Sequence, residues 1–276
     1  MPEGDTIARA AAALHRALAG QVVTAFATGL APLARVDDDM PIAGRTIDGC
    51  AARGKHLLIR FSGALTLRTH MRMHGSWHLY RPGERWRRSP RAARIRFDTA
   101  SWVAVGFDIP VAEFVRDADL PRHRPLATLG PDLADPDIDR AAAVAGLAAD
   151  GSRAIGEALL DQRLVAGLGN VLRVEVLFLA GLHPDRPVGS LDAATLARVV
   201  DLGATLLRRN VDPAVAARNT TGRLAPGEAL WVYQRTGRPC RRCGTAIRSA
   251  VPGPEGRRVY WCPVCQPAPG PELVAS

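Results

Sequence analysis

Pro239-Cys240-Arg241-Arg242-Cys243 and Tyr260-Trp261-Cys262-Pro263-Val264-Cys265 carry the most constraining spacing in the chain. Two Cys-x2-Cys pairs offer four thiolates as the two knuckles of a tetrahedral metal site. Cys240, Cys243, Cys262 and Cys265 are therefore read as the ligands of a structural zinc ion, one per chain. Disulfides would need an oxidising compartment, and the acidic, Ala-rich N-terminus lacks a signal-peptide pattern. Residues 246–249 and 258–261 then become the two strands of a ribbon. Its arginines (235, 238, 241, 242, 248, 257 and 258) interleave with Trp231, Tyr233, Tyr260 and Trp261, a composition suited to nucleic acid. Cys50 has no partner in the sequence and is expected in a core.

Outside the ribbon, 276 residues with 47% apolar content are enough for two domains and a small module. No apolar run reaches the length of a membrane span, so a cytoplasmic, nucleoid-associated monomer is expected. The formal charge of +9 fits either a polyanionic partner or an Arg-rich bias of composition. Of 36 basic side chains only one, at position 55, is a lysine. Either Lys55 survives by chance, or an ammonium is needed there that a planar guanidinium cannot replace.

At the other end, Met1-Pro2-Glu3-Gly4-Asp5-Thr6 runs into a helical repeat of Ile7, Ala11, Leu14 and Leu18, closed by Gly20. Asp5 is the expected cap. With Met1 removed, Pro2 exposes a secondary amine at the positive end of a helix dipole, where its protonated form is disfavoured. Glu3 could move protons beside it. The plain alternative is an ordinary processed terminus.

Residues 21 to about 115 are predicted to form strands, among them 21–27, 56–61, 64–69, 76–80, 94–97 and 102–107, giving a sandwich-like β domain. Met73, in His70-Met71-Arg72-Met73-His74-Gly75, is either a core residue or an apolar wedge on a loop. His70, His74 and His78 fall at spacing four, which would suggest a metal, but the strand pattern spoils that and they are not read as a metal site. Residues 85–94 are expected to form a solvated, Arg-rich hairpin tip, and Pro121, Pro125, Pro131 and Pro136 mark a linker. The period then becomes helical. Ile155, Leu159 and Gln162 are expected on one face of a helix, and Val171, Val174, Phe178 and Leu182 on one face of the next. Gly167-Leu168-Gly169-Asn170 between them is either a plain turn or a phosphate cradle of backbone N–H groups with Asn170 as an added donor. Another helix is expected at 191–209, followed by a loop at 210–229.

Taken in order, Pro2-Glu3-Gly4, Gly54-Lys55-His56-Leu57-Leu58, Leu159-Leu160-Asp161-Gln162, Gly167-Leu168-Gly169-Asn170 with Leu172-Arg173-Val174-Glu175, and the ribbon with Tyr260-Trp261-Cys262-Pro263 resemble one family. It is the formamidopyrimidine-DNA glycosylase and endonuclease VIII family of DNA repair enzymes, and the endonuclease VIII branch is the more similar. The resemblance covers nearly the whole chain. It implies an α+β fold: an N-terminal helix plus antiparallel β-sandwich (1–116), a linker (117–136), a helix–two-turns–helix DNA-binding domain (137–225), a zinc finger (226–267) and a tail (268–276). It also implies a damaged-DNA partner, double-stranded or with single-stranded character, held between the domains with the damaged nucleotide flipped out.

The implied activity is that of a bifunctional DNA glycosylase and abasic-site lyase of base excision repair, acting on oxidised bases. Pro2 would attack the sugar C1′, Glu3 would carry protons, and Lys55 would contact phosphate and assist β-elimination. Asn170 with Gly169 would hold a phosphate, Arg72 and Met73 would fill the gap in the stack, and Arg257 would assist δ-elimination. Three departures from the family pattern stand out, one of them a ribbon spacing slightly longer than usual. Asp5-Thr6 replaces the usual Pro-Glu, and Arg72-Met73-His74 replaces Gln-Leu-Tyr. They leave the preferred lesion open between oxidised pyrimidines, the first choice, and oxidised purines. A non-catalytic zinc-ribbon protein that binds damaged DNA is the alternative of another class.

Overall fold

The computed structural model describes residues 2–212, 217–223, 225, 227–252 and 256–269. Most of the tail expected at 268–276 lies outside them, as do positions 213–216, 224 and 226 of the loop expected at 210–229. The chain divides into two compact units, Met1–Thr128 and Leu129–Ser276.

The first unit opens with helix α1, Gly4–Leu18. Its apolar positions Ile7, Ala11, Leu14 and Leu18 recur at steps of four, three and four, so they line one face, and each is at most 3% exposed. His15 and Arg16 in the last turn complement the dipole. The cap is Glu3 rather than Asp5, because the helix starts two residues earlier than the capping pattern suggests. Asp5 instead sits buried in the first turn and accepts from the Thr6 N–H at 2.6 Å.

Eight strands follow, with a helix inserted after the first: β1 (Val23–Thr28), α2 (Ala31–Asp39), β2 (Ile47–Arg53), β3 (His56–Phe61), β4 (Leu65–His70), β5 (Ser76–Tyr80), β6 (Ala93–Thr99), β7 (Val103–Phe107) and β8 (Val111–Arg116). They form two antiparallel sheets, β1-β6-β7-β5 and β2-β3-β4-β8. Phe97 of the first sheet packs on Phe61 of the second, ring centroids 5.5 Å apart, and stacks on Trp77 at 5.8 Å. This is a sandwich, with α1 lying against β2 and β3.

All five residues of β7 are buried, which alternation alone does not explain. Ala104 faces the sandwich core, whereas Val103, Val105 and Phe107 face a second cluster covered by Trp86. Residues 85–94 are therefore not simply a solvated tip. Trp86 and Arg88 turn back on the sheet, while Arg85, Arg87, Arg91 and Arg94 are exposed.

A one-turn helix, α3 (Arg124–Ala127), closes this unit. The second unit contains α4 (Arg140–Ala148), α5 (Ile155–Ala158), α6 (Asn170–Ala180), α7 (Ala193–Val211) and the two-stranded ribbon β9 (Arg248–Ala250) and β10 (Val259–Trp261). Two helical readings need correction. α5 is a single turn, so Gln162 lies beyond it. The Gln162 amide donates to the Leu160 and Leu168 carbonyls, both at 3.0 Å, and its oxygen accepts from Gly167 N at 3.1 Å. That staple holds the next turn, where Gly167 takes φ 102°, a conformation that favours glycine. Helix α6 ends at Gly181, φ 74°, so Leu182 is past it; Leu182 N–H donates to Leu177 O at 3.0 Å, as in a left-handed C-cap. Nor does α6 have one apolar face. Leu172, Val176 and Leu177 join the helical core, and Val174 and Phe178 join the ribbon core.

Candidate functional site

In the first unit, Pro2 is half-buried at the start of α1 and Glu3 is fully buried. The Glu3 carbonyl accepts the Ile7 N–H at 3.0 Å, so the main chain holds the carboxylate-bearing residue at the helix start. A terminal amine there meets the positive end of a fifteen-residue helix.

Lys55 occupies the two-residue turn between β2 and β3, where Arg53 pairs with His56. Gly54 beside it takes φ 56°. The register of β3 and β4 sets His56 opposite His70, with ring centroids 5.0 Å apart. Burial pushes His70 down to about 4, and the charges of Arg72 and Lys55 add to this. Burial also pushes His56 down to about 3, with the Arg68 guanidinium the next cause. Both rings are neutral at pH 7. The Arg68 guanidinium, which has no acceptor, donates to His56 Nδ1 at 2.7 Å, so the ring proton resides on Nε2. Arg68 is buried and donates onward to Glu113 Oε1 at 2.7 Å, and His123 Nε2 lies 2.9 Å from the same oxygen. Sequence reading missed this network. The signal it lacked is the strand register, which brings residues 56, 70, 68 and 113 onto neighbouring strands.

After β4 the chain makes a tight turn at 71–75. Met71 is 2% exposed and Met73 is 54% exposed, which separates the core methionine from the protruding one. His70 Nδ1 accepts the Arg72 N–H at 3.1 Å, and Gly75 N–H donates to Met71 O at 2.9 Å. A Cβ on Gly75 would stand 2.6 Å from that same oxygen, so only glycine closes this turn without a shift.

In the second unit Asn170 opens α6, with Gly169 at the cap position. Asn170 is 7% exposed; its Nδ2 donates to Arg258 O at 3.0 Å and its Oδ1 accepts from Arg173. The Arg173 guanidinium also reaches Arg257 O at 3.2 Å. The backbone at 257–258 is thus tied to the start of α6, and the Arg257 side chain is exposed. A second tie comes from buried Glu175, whose carboxylate accepts the N–H groups of Trp231, Val232 and Tyr233 at 2.8–2.9 Å. The third is Gln266, donating to Leu182 O at 2.7 Å and accepting from Cys262 N at 3.0 Å.

The four ribbon cysteines bring their sulfurs within 4.8 Å of one another. Separations of 3.4, 3.6 and 3.9 Å exclude disulfides and match the edge of about 3.8 Å that follows from a tetrahedron with Zn–S of about 2.3 Å. This set could hold a metal ion, and all-sulfur donors suit a soft or borderline cation. Among the described residues it is the one group with such geometry, and His70, His74 and His78 form none. Cys50 is half-buried, and burial pushes its thiol up to about 12, so it is unreactive.

Residues 1–108 match the model of the formamidopyrimidine-DNA glycosylase N-terminal domain, and residues 129–220 that of the formamidopyrimidine-DNA glycosylase H2TH domain. The chain is 46% identical to the probable endonuclease 8 2 of Streptomyces coelicolor, covering 98% of this chain and 96% of that protein. It is 40% identical to the DNA-(apurinic or apyrimidinic site) lyase Nei2 of Mycolicibacterium smegmatis, covering 97% and 100%. A crystal structure of wild-type Lactococcus lactis Fpg (MutM) in complex with DNA containing N7-benzyl-Fapy-dG aligns with a TM-score of 0.81 at 25% identity, covering 97% and 100%. No described helix is long and apolar enough to cross a membrane.

Proposed function

Since the chain belongs to the formamidopyrimidine-DNA glycosylase and endonuclease 8 family, we propose that it is a bifunctional DNA glycosylase and abasic-site lyase of base excision repair acting on oxidised pyrimidines. The observation that carries this reading is the start of α1, where Pro2 precedes a fully buried Glu3 at the positive end of the helix. After removal of Met1, the Pro2 nitrogen attacks C1′ of the damaged nucleotide, and the glycosidic bond breaks with its electrons leaving on the protonated base. Opening of the sugar leaves an iminium between Pro2 and C1′. Loss of a proton from C2′ then expels the 3′-phosphate by β-elimination. Water finally hydrolyses the iminium and returns the amine. Glu3 supplies and collects protons at the sugar.

Lys55 holds a backbone phosphate as a compact charge. It stands beside neutral His70 and His56 on that hairpin turn, with Arg53 flanking the same turn and Arg72 on the next. Asn170 and Gly169, at the start of α6, take a second phosphate, and exposed Arg257 assists δ-elimination. Cys240, Cys243, Cys262 and Cys265 hold one zinc ion, which keeps the ribbon folded. Four thiolates leave it no open position for substrate. Exposed Met73 also favours a second reading, with oxidised purines as the main substrate.

Duplexes carrying one oxidised pyrimidine, one 8-oxoguanine or one abasic site separate these readings. Cleavage of the pyrimidine and abasic duplexes, leaving β- or δ-elimination ends, is expected. Tight binding without cleavage of any duplex would instead support a non-catalytic damage-binding protein.

A further inference from the structure

Between β5 and β6 the chain makes a basic loop that does more than meet solvent. Trp86 packs edge-on against Phe107, centroids 5.6 Å apart, and stacks near Tyr80 at 6.2 Å. That anchor sets the direction in which Arg88 leaves the loop. The Arg88 guanidinium lies 5.7 Å from the Phe107 ring centroid and donates to three acceptors. These are His74 O at 3.2 Å, Ser76 Oγ at 2.9 Å and the Asp108 carboxylate. His74 belongs to the turn that carries Met73. Asp108 lies in the turn between β7 and β8, and its own N–H donates to Ala92 O at 2.8 Å. One loop therefore grips two turns. Both contain a non-glycine residue in the left-handed region, Arg72 at φ 46° and Asp108 at φ 47°, which is unfavourable unless the surroundings enforce it. Between the turns lies a recess of about 600 Å³ lined by Met73, Arg94, Asp108, Ile109 and Pro110 among others.

We propose that Arg88, through Asp108 and the His74 carbonyl, is a positioning residue that pre-orders Met73 as the wedge of the extrusion step. This rests on the glycosylase reading above. With the two side chains 33% and 35% exposed, the ion pair is worth little as stability, so its role is geometric. A wedge must offset the unstacking of a base step. Methionine has three rotatable bonds, so its order has to come from the backbone that carries it. A planar fork serving three acceptors in different directions supplies that order; a lysine would not.

The test uses the full-length protein, Arg88→Met, Met73→Ala and the double variant. Single-turnover base excision is measured on a duplex with one oxidised pyrimidine, with 2-aminopurine beside the lesion reporting unstacking. Borohydride trapping on single-stranded DNA with an abasic site provides a second readout, because no partner strand has to be wedged there. Arg88→Met should slow duplex excision roughly tenfold or more, as a small misplacement does. It should also lose the 2-aminopurine rise and trap on single strands like the unaltered protein. The double variant should be no slower than Met73→Ala. Duplex excision at the unaltered rate, multiplied effects in the double variant, or loss of single-strand trapping by Arg88→Met would each overturn the proposal. Failure of the unaltered protein to trap at all would overturn the glycosylase reading, and the clamp with it.

Discussion

At the scale of single residues, the histidines under Lys55 make a prediction that no motif contains. His56 and His70 are held at about 3 and about 4 by burial and neighbouring cations, against an ordinary value of 6.5. The unfolded chain therefore binds more protons than the folded one between about pH 6.5 and pH 4. Stability falls as pH falls through that window, with buried His56 contributing more than His70, whose share solvent screening reduces. His56→Asn with His70→Asn, which keeps an acceptor near each Nδ1, should flatten the dependence of the urea midpoint on pH between 7 and 5. An unchanged slope in the double variant would show that other groups carry it. Lys55 was legible as the lone lysine of an arginine-rich chain. The rings beneath it were not, because a strand's alternation says which residues share a face and not which residue stands opposite. Met71 and Met73 show the same limit from the other side. Both precede the same glycine, and only the closed turn decides that one is buried and the other exposed.

Among elements, α1 follows its sequence period because it buries one well-marked apolar set, whereas β3 and β5 keep the predicted bounds 56–61 and 76–80 but bury residues on both faces. Strands β2 and β8 fall in the stretch read as strands without being singled out there, and helix α2 (Ala31–Asp39) corrects that reading. Ile47–Arg53 and Val111–Arg116 are rich in small or charged residues, and their pairing with β3 and β4 outweighs their weak local preference. α5 was overextended because Gln162 keeps the apolar spacing while its side chain staples a turn. The ribbon was the most legible element, since four cysteines at that spacing have few other uses. Its ties to α6 through Asn170, Arg173, Glu175 and Gln266 could not be read from spacing. They lead to a specific expectation for Cys243→Ser. Elemental analysis should find one zinc per unaltered chain and a large loss in the variant. Strand cleavage should fall with it, because the 257–258 segment loses its fold. Full metal content in the variant, or no metal in the unaltered protein, would contradict the structural role of the site.

On the scale of the whole molecule, the α+β order of helix, sandwich, helical unit and ribbon was legible because the hydrophobic period changes from two to 3.6 midway and the cysteines stand near the end. Composition also makes the chemistry unusually open to test. With Lys55 the only lysine, the chain offers two primary or secondary amines for an iminium, that side chain and the N-terminus. Borohydride should trap the protein on DNA carrying an abasic site, and peptide mapping should place the DNA on Pro2. Lys55→Arg should still trap, though it cleaves more slowly, and a protein with a residue retained before Pro2 should bind DNA without trapping. Trapping that survives the blocked terminus and vanishes in Lys55→Arg would make Lys55 the nucleophile and contradict the account.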